Sequence, residues 1–421
     1  MLRTERLDLM KKGITEVLTK GKRIASDFIL RISASVLTTF ANQIVLLPLL
    51  ALIFDADEYG LILTLFGIKN IISGTLGNSL YSTRLIVNSK YEEEQQKGDF
   101  NRLILISAII SIVVMGIASK IVGEVNTVIW VLLLPVVAIY TLNSYFIVWY
   151  PIKLEFKQSF IHSIVVSIGT LIGALIVYIT HLWPLAYLVS GIAGLLFITK
   201  RTEIIQEGLA KTKLKSATVR KWIILMMTTL LTNIVTYLDR LILYPLIGAA
   251  AVSIFSTASY FGKALSVLIM PISSVMLGYY AQRNFKMTKK RFWSINGVCA
   301  VLLLIFAFFS LTFGKSVTGL LFPKLMEDAA PYIFIANMSS AIAALTQIVQ
   351  ATALKYAKTY WQIIIQIVYF TIYFGLGMVM IKTNGLMGFC FASLFANTSR
   401  MVILLVICHT ALGVKDECKK D

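Results

Sequence analysis

The chain has 421 residues, of which 57% are hydrophobic and only 14% charged, with a mean hydropathy of +0.80. A water-soluble domain carries about 45–50% apolar and about 25% charged residues, so this composition excludes a soluble protein and points to an integral membrane protein. The formal charge of +18 would suit a nucleic-acid binder, but the placement of the cations argues for a membrane instead and for no nucleic-acid partner.

Residues 1–28 are too polar for a secretory signal. Leu7, Met10, Ile14, Val17 and Ile24 recur there at helical spacing among seven Lys and Arg, which reads as an amphipathic helix on the cytoplasmic leaflet or as a disordered basic tail. Twelve apolar stretches follow, at 29–53, 60–83, 103–122, 128–150, 161–180, 183–199, 222–247, 252–278, 294–313, 332–352, 361–381 and 385–408. Each is long enough to cross a hydrocarbon layer of ~30 Å as a helix. A membrane barrel would instead show alternating segments of about ten residues. If both termini are cytoplasmic, thirty Lys and Arg fall in cytoplasmic segments and four, Lys120, Lys315, Lys324 and Lys382, on the other side. This positive-inside bias fixes an even number of spans with N and C termini in the cytoplasm.

The expected organisation is all-α, with about 12 transmembrane helices in two pseudo-symmetric six-helix lobes around a central cavity. The segments are 1–28, an N-lobe over 29–199, a basic cytoplasmic inter-lobe loop over 200–221, a C-lobe over 222–408 and a tail over 409–421. Two six-helix halves are a recurrent transporter plan. A weak repeat supports it: Phe66-Gly67-Ile68-Lys69 resembles Tyr260-Phe261-Gly262-Lys263, and each follows an amide-bearing helix, with Asn42 and Gln43 in the first half and Asn233 in the second.

A charge at mid-bilayer costs about 2.5–3.5 kcal/mol or more on insertion scales. Five cations lie inside or at the edge of spans, Arg31, Lys69, Arg240, Lys263 and Arg400, against one acid, Asp239. At ~1.5 Å rise per residue, Lys69 and Lys263 approach the bilayer middle, where Asn42, Gln43, Asn70 and Asn233 also fall. A neutral buried amine is one reading of either lysine. Two lysines at matched depth favour the other, a water-filled cationic cavity that attracts phosphate, pyrophosphate or carboxylate groups. Asp239 and Arg240, near the outer end of the seventh stretch, read equally as a gate or coupling site and as a structural pair near the headgroups. Arg84 either lines the inner mouth or anchors the helix by the positive-inside bias, and Arg31 and Arg400 can snorkel. Pro245 and Pro271 would let the seventh and eighth helices bend. Gly74/Gly77 and Gly169/Gly173 would let helices touch closely.

No Walker-type loop occurs, since Gly314-Lys315-Ser316 lacks the upstream glycines. His162, His181 and His409 lie far apart, and Cys299, Cys390, Cys408 and Cys418 have no paired spacing. Neither a metal site, a disulfide framework nor a cofactor is expected, apart from a coupling H⁺ or Na⁺. No loop carries a catalytic acid or base set, so an enzyme is not expected.

Tyr237-Leu238-Asp239-Arg240, then Leu246-Ile247-Gly248 and Val252-Ser253-Ile254-Phe255-Ser256, resembles the helix 7–8 signature of polysaccharide-lipid flippases of the O-antigen and capsule (Wzx) type. Asp55 to Gly60, Gly77 to Arg84 and Leu320-Leu321-Phe322-Pro323 are similar to other segments of that family. Ser253, Phe255 and Pro323 depart from its usual glycine, tyrosine and glycine. The family belongs to the multidrug/oligosaccharidyl-lipid/polysaccharide (MOP) exporter superfamily. Its lipid II flippases are typically longer, with fourteen spans, so the resemblance implies a flippase for repeat-unit oligosaccharides.

The resemblance implies a protein of the bacterial cytoplasmic membrane, and a cavity within one chain makes a monomer the expectation. It would move undecaprenyl-pyrophosphate-linked oligosaccharide from the inner to the outer leaflet by alternating access, alongside a polysaccharide polymerase and chain-length proteins and among membrane lipids. Lys69 and Lys263 would hold the head group with Asn42, Gln43, Asn70, Asn233 and Arg400. The gate or coupling candidates are Asp239, Arg240 and Arg84. The rival readings are a drug or cation antiporter of the same superfamily, a non-catalytic scaffold of a polysaccharide assembly complex, and a membrane-embedded transferase.

Overall fold

The computed structural model describes residues 29–30, 32–123, 125–281, 287–358 and 360–417. The predicted amphipathic segment 1–28, Arg31 and Cys418 therefore lie outside the described residues. Among the described residues about 90% are helical and none is in a strand. The helices are α1 (Ile32–Ile53), α2 (Ala56–Glu93), α3 (Asp99–Val122), α4 (Thr127–Lys153), α5 (Phe156–Thr180) and α6 (Pro184–Arg201). They continue with α7 (Lys215–Thr236), α8 (Leu238–Leu246), α9 (Ala249–Ala258), α10 (Tyr260–Ala281) and α11 (Lys289–Thr312). The last three are α12 (Gly314–Leu321), α13 (Ile333–Tyr356) and α14 (Tyr360–Glu417).

Nine helices among the described residues are long and apolar enough to cross a membrane, or ten if α7 and α8, bent by 56°, form one span. The difference from twelve has identifiable causes. α14 is two helices merged across a kink, with non-helical Asn384 and Gly385 between its limbs. α6 occupies the predicted stretch 183–199 but ends in Lys200 and Arg201 and does not reach the apolarity required. Each of the twelve predicted stretches thus coincides with helix. Ile109, Ile117, Leu304 and Phe308 are 58–71% exposed, a lipid-facing surface that water would not tolerate.

Contacts divide the chain into two compact units. Unit 1 comprises 1–46, 72–120 and 124–230, and unit 2 comprises 47–71, 121–123 and 231–421. Unit 2 therefore takes the last part of α1 and the first part of α2. Each of these helices contains a π-helical stretch near the division, Ala41–Leu46 in α1 and Gly74–Asn78 in α2. Pro48 explains the first, because it offers no N–H to the carbonyl four residues back and its ring crowds that carbonyl.

In unit 1, α5 lies against α6 through the predicted small residues: a Cβ on Gly173 would stand 2.6 Å from the Ala186 Cα. Thr170 and Ser190 hydroxyls meet at 2.9 Å in the same seam, the small-residue packing that membrane helices use. In unit 2, α10 and α13 are joined where α9 gives way to α10. There the Gly262 N–H donates to Asn337 Oδ1 at 2.8 Å. Asp57 Oδ1 accepts from the Ala250 N–H at 3.1 Å, placing a carboxylate at the N-terminus of α9, where the helix dipole favours it.

Candidate functional site

The bend of the seventh span falls at Tyr237, between α7 and α8, and not at Pro245, which lies in the last turn of α8. Tyr237 has φ −108° and ψ 17°, outside the helical region. The break brings Asp239 into the first turn of α8, where its Oδ1 accepts from the Arg240 N–H at 2.9 Å. The other oxygen, Oδ2, accepts from Lys263 Nζ of α10 at 2.7 Å. The Lys263 side chain keeps 35% of its surface exposed against 9% for Asp239, so the ammonium is the accessible partner.

Arg240 turns the other way and donates from Nη1 to the Leu63 carbonyl of α2 at 2.6 Å. Its guanidinium carbon lies 5.3 Å from the Tyr237 ring centre and 5.9 Å from that of Phe66. Gly67 permits this approach, since a Cβ there would stand 3.2 Å from Arg240 Cδ. On the same face of α2, three residues after Phe66, Lys69 is 2% exposed, with Nζ 4.5 Å from the Phe66 ring centre. Such cation–π contacts gain strength when desolvated. Asn70 donates to the Tyr237 hydroxyl at 2.8 Å, and the Asn233 carbonyl accepts from the Tyr237 N–H at 3.1 Å.

Lys69, Asn70, Asn233, Asp239, Arg240 and Lys263 thus all belong to unit 2, with Lys263 bonded to Asp239, Arg240 beside it on the chain, and Lys69 and Arg240 both against the Phe66 ring. Arg400 joins through aromatic rings. Lys263 Nζ lies 5.1 Å from the Phe255 ring, Phe255 meets Phe389 edge-on at 5.0 Å, and Tyr373 and Tyr369 continue to the Arg400 guanidinium, 5.0 Å from Tyr369.

The other predicted residues belong to unit 1. Asn42 Nδ2 donates to the Thr38 carbonyl of its own helix at 3.2 Å, and Gln43 lies beside it in the π-helical stretch. Arg84 donates from Nη1 to Glu207 Oε2 at 2.7 Å and to the Tyr145 hydroxyl at 2.6 Å, and from Nη2 to Glu207 Oε1. Its guanidinium carbon is 5.0 Å from the Phe100 ring. Glu207 ends a 3₁₀ turn (Ile204–Glu207) in the predicted inter-lobe loop, so Arg84 fastens that loop to unit 1. Asn101 Nδ2 adds a bond to the Ile204 carbonyl at 2.7 Å, and Asp99 Oδ1 accepts from the Thr212 N–H at 3.0 Å. A cavity of about 610 Å³ lies alongside, lined by Arg84, Lys97, Trp149, Lys153 and Glu203.

No protein-family model and no curated protein matches the chain. Solved structures do. An inward-facing multidrug-resistance MATE family transporter of the MOP superfamily aligns with a TM-score of 0.61 over 93% of this chain and 96% of its own, at 14% identity. The lipid II flippase MurJ, in an inward closed conformation, gives 0.65 over 92% and 87% at 13% identity. The Vibrio cholerae MATE transporter VcmN in its bent form gives 0.59 over 96% and 99% at 15% identity. The chain has the MOP transporter fold.

The solved structures named above as sharing this fold are MATE transporters and a lipid II flippase. Sequence reasoning missed the aromatic residues that hold the cations. Phe66 was signalled by its place three residues before Lys69 on a helix, where side chains meet. Tyr237 entered only as the first residue of the motif Tyr237-Leu238-Asp239-Arg240, and its contact with Arg240 was not legible because it depends on a break that neither proline nor glycine marks. Asn337 and Asn397, buried amides within predicted spans, could have been found by the same cost argument that singled out Lys69.

Proposed function

We propose that the protein is a flippase moving undecaprenyl-pyrophosphate-linked oligosaccharide repeat units from the inner to the outer leaflet of a bacterial cytoplasmic membrane by alternating access, as a monomer with cytoplasmic termini. The observation that carries this reading is the excess of cations at a break in a membrane helix: Lys263 on the Asp239 carboxylate, and Arg240 and Lys69 sharing the Phe66 ring in the same unit. Broken helices mark ion and substrate sites in transporters, and a pyrophosphate is the lipid head group that such an excess of cations suits. Arg240 is fixed by the Leu63 carbonyl and two rings and acts as a template. Lys263 is held by Asp239 and exchanges that carboxylate for a phosphate oxygen. The released Asp239 then takes a proton or a cation, which couples head-group binding to an ion. The likeness to MurJ supports a lipid-linked cargo, and the product would serve surface polysaccharide assembly with its polymerase and chain-length proteins.

A drug or cation antiporter is the second reading, favoured by Asp239 as a buried carboxylate and by the likeness to MATE transporters. The deciding measurement is the leaflet distribution of lipid-linked oligosaccharide in cells lacking the protein. Inner-leaflet accumulation relieved by wild type but not by Lys69→Gln at equal expression is expected. Absence of accumulation would refute the flippase reading, and full rescue by Lys69→Gln/Lys263→Gln would refute the lysine mechanism.

A further inference from the structure

The first limb of α14 carries a strip of polar and aromatic side chains that runs on from the ring chain of the head-group cluster to glutamines the cluster does not use. Gln362, Gln366, Tyr369 and Tyr373 follow at intervals of four, three and four residues, so they share one helix face over about 16 Å. Gln362 Oε1 accepts from Gln350 Nε2 of α13. Tyr369 donates to Asn397 Oδ1 at 3.0 Å, and Asn397 Nδ2 donates to Ser339 Oγ at 2.9 Å. Four buried polar atoms along the strip have no hydrogen-bond partner: Gln350 Oε1, Gln362 Nε2, Gln366 Oε1 and Arg400 Nε. Water cannot satisfy such groups in hydrocarbon, and each costs free energy. Four on one continuous strip call for a ligand rather than an accident of packing.

The chemistry of the strip selects the ligand. No Asp or Glu occurs from residue 329 to 415, so the strip supplies no carboxylate of its own to a cation, and the nearby Asp239 is already bonded to Lys263. An apolar ligand would leave the amides unpaired. Each glutamine presents a donor and an acceptor in one plane, which matches adjacent hydroxyl groups, and the tyrosine rings offer flat apolar faces to the C–H faces of sugar rings. The strip continues through Tyr373, Phe389 and Phe255 to Lys263. Tyr369 and Tyr373 are buried, whereas the three glutamines and Arg400 are half-buried, so the amide end is the more accessible one.

We infer that this strip is the subsite for the glycan of the cargo, binding a hydroxyl-rich oligosaccharide while the cationic cluster of the same unit holds its pyrophosphate. The inference rests on the flippase reading. Its test uses the full chain in lipid nanodiscs and two probes: undecaprenyl pyrophosphate, and the same lipid bearing the oligosaccharide that accumulates in cells lacking the protein. Wild type is expected to bind the glycosylated lipid at least tenfold more tightly than the bare one. Gln362→Met/Gln366→Met keeps the bare-lipid affinity within twofold and loses the preference, whereas Lys69→Gln weakens both lipids and retains it. If the double variant fails to reconstitute, Gln366→Leu alone is read in the same way. A preference that survives the methionines, or none in wild type, overturns the subsite alone. Failure of wild type to bind either lipid overturns the flippase reading and the subsite together.

Discussion

Replacing Glu207 by Gln tests whether Arg84 is the anchor of the inter-lobe loop. The pair is bidentate, and its side chains are only 9% and 11% exposed, so solvent screens it little. At the 2.7 Å separation of Nη1 and Oε2, an effective dielectric of about 20 gives an attraction of ~6 kcal/mol, largely offset by the cost of removing both ions from water. Taking away one partner leaves that cost in place and typically destabilises by about 3–5 kcal/mol. The Tyr145 hydroxyl and the Phe100 face remain to Arg84 and return about 1–2 kcal/mol. The expected net loss for Glu207→Gln is ~1–4 kcal/mol, read as a lowered thermal midpoint in detergent and faster proteolysis within 200–221. Arg84→Met/Glu207→Leu removes both charges and should recover most of the loss. A Glu207→Gln protein as stable as wild type, or a double variant as unstable as the worse single one, would refute the anchor.

Asp239→Asn leaves Lys263 without its carboxylate, but 35% exposure of that lysine screens the effect, so a loss of only ~1–2 kcal/mol is expected. Asp239→Asn/Lys263→Gln should restore the thermal midpoint while abolishing transport. Gly60→Ala places a Cβ 1.8 Å from the Ala249 carbonyl oxygen, and size-exclusion chromatography should show no folded, monodisperse protein. Asn337→Leu removes the acceptor of the buried Gly262 N–H, which costs about 1–3 kcal/mol; an unchanged melting curve would mean that this bond contributes nothing.

The helices were legible because a membrane span is written locally, as an unbroken apolar run, and every such run coincides with helix. The count was less secure where a span is short and ends in charge, as at Lys200 and Arg201, or where two spans fuse across Asn384 and Gly385. The costly residues were also legible, since a lysine in hydrocarbon draws notice wherever it lies. What they do with one another was not. The repeat predicted that Lys69 and Lys263 play matching parts, yet Lys69 lies against the face of Phe66 and Lys263 is bonded to Asp239, 24 residues away across two helix breaks. The break at Tyr237 has tertiary companions: Arg240 is drawn to the Leu63 carbonyl on one side and Asp239 to Lys263 on the other. Among the prolines, Pro48 and not Pro245 accompanies a local distortion, a π-helical stretch that precedes its ring.

The membership of residues 47–71 in unit 2 has a consequence for biogenesis. That segment leaves the ribosome with the first two helices, but apart from residues 121–123 the rest of its unit begins at Leu231. At a synthesis rate of about 5–20 residues per second, roughly 8–30 seconds pass before that part emerges. During that interval Lys69, Leu63 and Tyr59 wait in the bilayer without the helices that later cover them. A membrane chaperone that shelters a lone lysine-bearing helix would find its client here, and a stalled or truncated chain would expose this segment to quality-control proteases before any other part of the site exists.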